Sequence, residues 1–227
     1  MKYEAVIFDL GGTLINQSTW EEQDNYIKRM AEVLGVPHND FLRLWRATYE
    51  ERTKGTFGSV ENGIKYICEQ LNIPVEESRI KMAADIPLEI TRRMIMLLKE
   101  GAVEVLSTLK SQGFKTGLIC NWSHHLPLVW KDCPLAPLID IAVFSSSEGF
   151  MKPDRCIFLL ATERLAVPPG KCLYIADGMD QELSGATNVG MKAVMVRYPD
   201  LIDSNPYREK WDCTVIKSLR EVLDLVK

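Results

Sequence analysis

Short apolar runs recur along the chain at residues 5–8 (AVIF), 116–120, 141–144, 172–176 and 193–196, with a weaker one at 213–216. They are continuous rather than alternating, the pattern of strands covered on both faces. Helical periodicity fills most of the intervals, over 103–111 before the second run, 154–165 before the fourth and 182–189 before the fifth. Gly113, Gly170 and Gly190 each follow a helical stretch, as C-terminal caps do. Strand and helix in alternation predict an α/β fold, a doubly wound Rossmann-like parallel sheet with helices on both faces.

One interval breaks the rhythm. About a hundred residues separate positions 15 and 116, where a crossover needs roughly a dozen to thirty. The interval reads as helices over 20–34, 39–54, 59–71, 76–85 and 87–99, punctuated by Gly35-Val36-Pro37, Gly55 to Gly58 and Asn72-Ile73-Pro74. This predicts a helical insertion over 16–90 in a core made of 1–15 and 91–227. Ligands in open α/β sheets bind outside the carboxyl ends of the strands, so the insertion would overhang that edge as a lid.

Composition narrows the function classes. The 227 residues are 46% apolar and 26% charged, enough for a sizeable core. The net charge of −4 argues against a nucleic-acid partner, which would require a basic face. No apolar run is long enough to span a membrane, and no signal-peptide pattern opens the chain. The six cysteines are irregularly spaced with no CxxC pair, and Cys68, Cys120 and Cys172 lie in apolar periodic segments as buried free thiols. A cytoplasmic protein without disulfides or zinc is expected, acting as a monomer or homodimer.

The polar residues that end the strands carry the candidate chemistry. The first strand ends at Asp9, the second at Cys120-Asn121 and the fourth at Asp177. If the first and fourth strands are neighbours, two carboxylates converge, and a hard cation such as Mg²⁺ between them would relieve their repulsion. Gly11 and Gly12 allow a tight turn that exposes amides and carbonyls, and Thr13 places a hydroxyl where it can orient Asp9. Lys152 precedes a proline that opens a helix, where a cation could screen an acid from a bound phosphate. Alone, each of these is an ordinary turn or helix start; as an ordered set at the ends of different strands they point to a site.

Four motifs in order complete the pattern: Phe8-Asp9-Leu10-Gly11-Gly12-Thr13-Leu14, Leu118-Ile119-Cys120-Asn121, Glu148-Gly149-Phe150-Met151-Lys152-Pro153-Asp154, and Ile175-Ala176-Asp177 through Glu182 to Gly185-Ala186 and Gly190-Met191. Over essentially its whole length the chain resembles the haloacid-dehalogenase superfamily of hydrolases, and the insertion resembles that family's C1-type helical cap. The resemblance implies a Mg²⁺-dependent phosphatase that hydrolyses a small phosphorylated metabolite through an aspartyl-phosphate on Asp9. It implies a cation held by Asp9, the Gly11 carbonyl and Asp177, with Glu182 outside them or ligating directly. Lys152 would offset the charge of Asp9 and the phosphoryl group, while Cys120, the Asn121 amide and Gly12 would hold phosphoryl oxygens.

Three positions depart from the family pattern. Gly11 stands where most phosphatases carry the acid that protonates the leaving group, a contribution of typically about 10²–10⁴-fold. Cys120 replaces Ser or Thr, so oxyanion contacts fall more on backbone amides and Lys152. Glu182 replaces Asp, with an arm long enough to reach a metal-bound water or else to sit in solvent. His124 and His125 are candidates for the missing proton chemistry, against the reading of an incidental loop pair. Two other functions fit the same residues: a 2-haloacid dehalogenase without metal, in which Asp9 attacks carbon, and a non-catalytic binding protein of the same fold.

Overall fold

The computed structural model describes residues 2–199 and 208–227. Six strands, β1 (Ala5–Phe8), β2 (Lys115–Cys120), β3 (Ile141–Phe144), β4 (Cys172–Ala176), β5 (Lys192–Val196) and β6 (Val215–Ile216), form one sheet. Its order is β3-β2-β1-β4-β5-β6, and every pair is parallel. The continuous apolar runs have the expected cause. Along β1, Val6 and Phe8 enter one buried cluster while Ala5 and Ile7 enter another on the opposite face.

Helices cover both faces. α6 (Ala102–Ser111) and α11 (Val222–Leu225) add Val105, Leu106, Leu109 and Val222 to the first cluster. α9 (Arg155–Leu165) and α10 (Glu182–Asn188) add Ile157, Phe158, Leu183 and Ala186 to the second. Two short helices, α7 (His125–Val129) and α8 (Ser145–Glu148), follow β2 and β3 and have no counterpart among the expected elements.

The long interval folds as α1 (Trp20–Leu34), α2 (His38–Ala47), α3 (Tyr49–Thr53), α4 (Val60–Gln70) and α5 (Glu77–Met94). These helices bury a cluster of their own, including Met30, Phe41, Ile64, Ile67 and Ala83. α1 starts on a capping box, Thr19 with Glu22, and stops at Gly35 in the left-handed region. The expected helix over 39–54 is broken at Thr48, whose hydroxyl bonds back to the carbonyls of Leu44 and Trp45. The two helices expected over 76–85 and 87–99 are one. Pro87 lies inside α5, which runs on to Met94, so the expected boundary at residue 90 falls within a helix. The outgoing and returning segments pair antiparallel at Ile15 and Leu98, with Asn16 N donating to Leu97 O at 2.9 Å and Lys99 N to Leu14 O at 2.9 Å.

Two smaller expectations are also corrected. The turn after α9 is closed by Ala166 at φ 51° rather than by Gly170, and the helix itself starts at Arg155 with Asp154 as its cap, two residues after Pro153. All six cysteines are free thiols, and no helix among the described residues is long and apolar enough to cross a membrane.

Candidate active site

The strand order decides which side chains meet. β1 lies between β2 and β4, with Phe8 level with Leu118 and Ile175. The chain runs from β1 to β2 and β3 on one side and to β4, β5 and β6 on the other, so the carboxyl end of β1 is the switch point where ligands bind in such sheets. Asp9, Cys120 and Asp177 each stand at or just past a strand end there, as the sequence led us to expect.

Asp9, Asp177 and Glu182 are all buried, and each offers one oxygen within 4.8 Å of the others. Lys152, also buried, bridges two of them, with Nζ donating to Asp9 Oδ1 at 2.5 Å and to Glu182 Oε2 at 2.5 Å. Glu182, which the sequence left between ligand and solvated residue, is not solvated. Its carboxylate also accepts from the Tyr174 hydroxyl at 2.9 Å and from Gly178 N at 3.1 Å. The loop from Asp177 to Glu182 achieves this by turning through Gly178, Asp180 and Gln181, all at positive φ. Two consecutive non-glycine residues in that region cost about 1–3 kcal/mol each, and such strain gathers at functional sites.

Electrostatics follow from burial. Burial, and then the charge of Asp9, pushes the Asp177 carboxyl up to about 6 and holds Glu182 well above the ordinary glutamate range. Burial would drive the Lys152 ammonium towards neutrality, but Asp9 and Glu182 outweigh it and hold its pKa well above the usual lysine value. Burial and Asp9 likewise keep the Cys120 thiol protonated. A second cation reaches the cluster, since Arg208 Nη2 donates to Asp177 Oδ2 at 2.9 Å. With all three acids ionised, Lys152 and Arg208 leave one negative charge uncompensated, and the donor atoms are all oxygen. This set fits a hard divalent cation.

The remaining candidates are placed as follows. A Cβ on Gly12, at φ 78°, would stand 2.5 Å from Asp177 Oδ2, so glycine is what lets the Asp9 turn approach Asp177. A Cβ on Gly11 would meet only the Trp122 ring, at 3.6 Å. The Asn121 side chain is fully engaged. It accepts from Lys152 N at 2.8 Å and donates to Lys152 O at 3.1 Å and to Asp180 Oδ2 at 2.8 Å, which fixes the lysine backbone. Thr13 does not orient Asp9 as expected. Its hydroxyl is buried without a hydrogen-bond partner, and its backbone is tied instead to Leu10 O and the Tyr198 hydroxyl.

His124 and His125 are engaged away from Asp9. His124 Nε2 donates to Gly55 O at 3.2 Å, tying the loop after β2 to the α1–α5 helices. Trp122 Nε1 donates to His125 Nε2 at 2.8 Å, so the neutral ring carries its proton on Nδ1, which is buried without a partner. Burial first, then Arg52 and His124, lower the His125 pKa to about 3, so near neutrality the ring is uncharged and is no imidazolium acid. A cavity of about 210 Å³ lies beside them, between Gly58–Glu61, Ala84, Leu88 and Leu128.

Sequence reasoning missed Arg208, Tyr174 and Ser145. Ser145, whose hydroxyl accepts from Trp122 N at 3.0 Å, fixes the loop after β2. No local signal marks these three, because each matters through a partner outside its own element, Glu182 for Tyr174, Trp122 for Ser145 and Asp177 for Arg208.

A parallel sheet with helices on both faces thus carries an acid-rich cluster and a buried lysine at its switch point. The chain belongs to the haloacid dehalogenase-like hydrolase family, whose pattern it matches over residues 3–190. It is 24% identical over 241 residues to glyceraldehyde 3-phosphate phosphatase of Pyrococcus furiosus, covering 100% of this chain and 94% of that one. It is 22% identical over 224 residues to (S)-2-haloacid dehalogenase H-109 of Pseudomonas putida, covering 92% and 94%. Among solved structures, a family enzyme of Bacteroides thetaiotaomicron in complex with magnesium and inorganic phosphate superposes with a TM-score of 0.65 at 17% identity, over 88% of this chain and 98% of that one.

Proposed function

We propose that this hydrolase is a Mg²⁺-dependent phosphatase that acts on a small phosphorylated metabolite through an aspartyl-phosphate on Asp9. The observation that carries the reading is the buried cluster of Asp9, Asp177 and Glu182 beside Lys152, an all-oxygen donor set with excess negative charge. Support comes from relatives named for glyceraldehyde 3-phosphate and from the fold neighbour that holds magnesium and phosphate.

In this reading Asp9, the Gly11 carbonyl, Asp177 and Glu182 hold the cation. When bound, Mg²⁺ supplies charge neutralisation to the phosphoryl oxygens and to the surrounding carboxylates. An Asp9 carboxylate oxygen bonds to phosphorus, the ester P–O bond breaks, and its electron pair leaves with the alkoxide, which takes a proton from solvent because Gly11 has none to give. Water then attacks phosphorus and the P–O bond to Asp9 breaks, which restores the carboxylate and releases phosphate. Lys152 offsets charge throughout, and the Asn121 backbone amide, Gly12 and Cys120 would hold the phosphoryl oxygens. The helices between Ile15 and Leu98 act as a lid that limits the access of bulk water. A reducing, cytoplasmic setting suits six free thiols.

Hydrolysis of an aryl phosphate tests the reading. The wild type turns it over with Mg²⁺, and Asp9→Asn lowers the rate by on the order of 10³-fold or more. Equal rates for both proteins would refute Asp9 as nucleophile.

One observation favours a second reading, metal-free 2-haloacid dehalogenation. Arg208 already supplies a positive charge to Asp177 without any metal, and carbon attack by Asp9 with loss of halide requires no acid at position 11. Chloride release from a 2-chloro acid in the presence of a chelator would support it.

A further inference from the structure

Asp177 presents its two oxygens to different surroundings. Oδ1 accepts from Met179 N at 3.2 Å, within its own loop. Oδ2 is the oxygen that a Cβ on Gly12 would approach to 2.5 Å, so it faces the turn that carries Asp9 and Gly11. That inward oxygen is the one Arg208 holds, at 2.9 Å, with the arginine side chain 8% exposed and the carboxylate 1%.

The neighbouring residue fastens the same loop from its other end. Glu209 N donates to Gly178 O at 2.8 Å, and its carboxylate accepts from Leu183 N at 2.8 Å and Ser184 N at 3.1 Å. Arg208 and Glu209 thus clamp residues 177–184, the stretch that contains both Asp177 and Glu182. A guanidinium delivered by such a clamp is a fixed positive charge at the edge of the cluster.

We propose that Arg208 is a built-in competitor of the divalent cation. It holds the inward oxygen of Asp177 while the site is metal-free and is displaced from it when Mg²⁺ binds. The proposal rests on the metal-dependent reading above. Two effects follow from one interaction. Arg208 offsets the repulsion among three buried acids in the metal-free protein, and for the same reason it weakens the binding of any cation that shares Asp177.

Mg²⁺ alone is the probe, with the full chain as wild type, Arg208→Gln and Arg208→Lys. Binding is measured by titration calorimetry and stability by thermal unfolding with and without Mg²⁺. Arg208→Gln is expected to bind Mg²⁺ tighter by on the order of ten-fold. It should melt lower than wild type without Mg²⁺ and gain more from its addition. Arg208→Lys keeps the charge but loses the planar fork, so its affinity should fall between the two; it carries the test by itself if the glutamine variant does not fold. Weaker Mg²⁺ binding in the variants would make Arg208 an orienting partner of Asp177 and overturn the proposal. Unchanged affinity would overturn it too, while leaving the metal-dependent reading intact. Absence of Mg²⁺ binding by all three proteins would overturn both.

Discussion

At the scale of single residues, Gly11 and Gly12 play different parts although they are adjacent. Gly12 sits at φ 78°, and a Cβ there would enter the space of Asp177 Oδ2 at 2.5 Å. Gly11 has no such constraint, since its added Cβ would make ordinary contact with Trp122 at 3.6 Å. Gly12→Ala should therefore push Asp177 aside, losing more than about 1 kcal/mol of stability and most activity, whereas Gly11→Ala should keep the wild-type melting temperature. Denaturant unfolding of the two variants checks the contrast. The positions of Asp9, Lys152 and Asp177 were legible because each sits at a punctuation point, a strand end followed by glycine or a lysine before proline. The fate of Glu182 was not, because its burial depends on three left-handed residues and on a tyrosine in β4. Arg208 was invisible to sequence reasoning, since its partner lies 31 positions away in the chain and no repeat or motif links them.

At the scale of elements, strands were easier to read than helices. A continuous apolar run needs only the two covered faces that the sheet supplies, so five of the six strands lie within a residue of their expected bounds. The helices were decided by interactions that periodicity does not encode. The Thr48 hydroxyl ends α2 by bonding backwards, and Pro87 is tolerated inside α5. α7 begins at His125, whose ring accepts from Trp122 within the β2 loop, while the neighbouring His124 ties that loop to the helices above it at Gly55. The His125 pKa lies near 3 in the folded chain, below its ordinary value of about 6.5, so folding requires the neutral ring. The sign follows directly. The folded state binds fewer protons, so this contribution is complete above about pH 6.5 and falls as the pH drops towards 3, by at most about 1.4 kcal/mol per pH unit. His125→Gln, which keeps an acceptor for Trp122 and cannot titrate, should show a flatter loss of stability between about pH 6.5 and 4 than wild type. Urea unfolding at several pH values reads that difference; parallel slopes would exclude His125 as the source.

At the scale of the whole molecule, the order β3-β2-β1-β4-β5-β6 turns a linear pattern into a site. The sequence indicated which residues end the strands, but the convergence of Asp9 and Asp177 depends on β1 pairing with β4 across 167 positions, as with Ala5 and Cys172. The long interval departs and returns at adjacent points, where Ile15 and Leu98 pair, so a helical body with its own core is tethered by two short segments beside the carboxyl edge of the sheet. Gly55 closes the seam between them, because a Cβ there would lie 2.0 Å from Ser146 O. These features suit chemistry that excludes bulk water, and they serve a phosphoryl or a halide substrate equally well. The cluster of Asp9, Asp177 and Glu182 is what favours the proposed phosphatase, since carboxylates gathered this closely gain from a divalent cation and a metal-free dehalogenation does not use one. The most direct measurement is a parallel assay of phosphate release from a panel of small phosphorylated metabolites and chloride release from 2-chloro acids, each with Mg²⁺ and with chelator. Phosphate release that requires Mg²⁺, with no chloride release, is the predicted result. Chloride release that persists in chelator, with no phosphate released under either condition, would contradict the account.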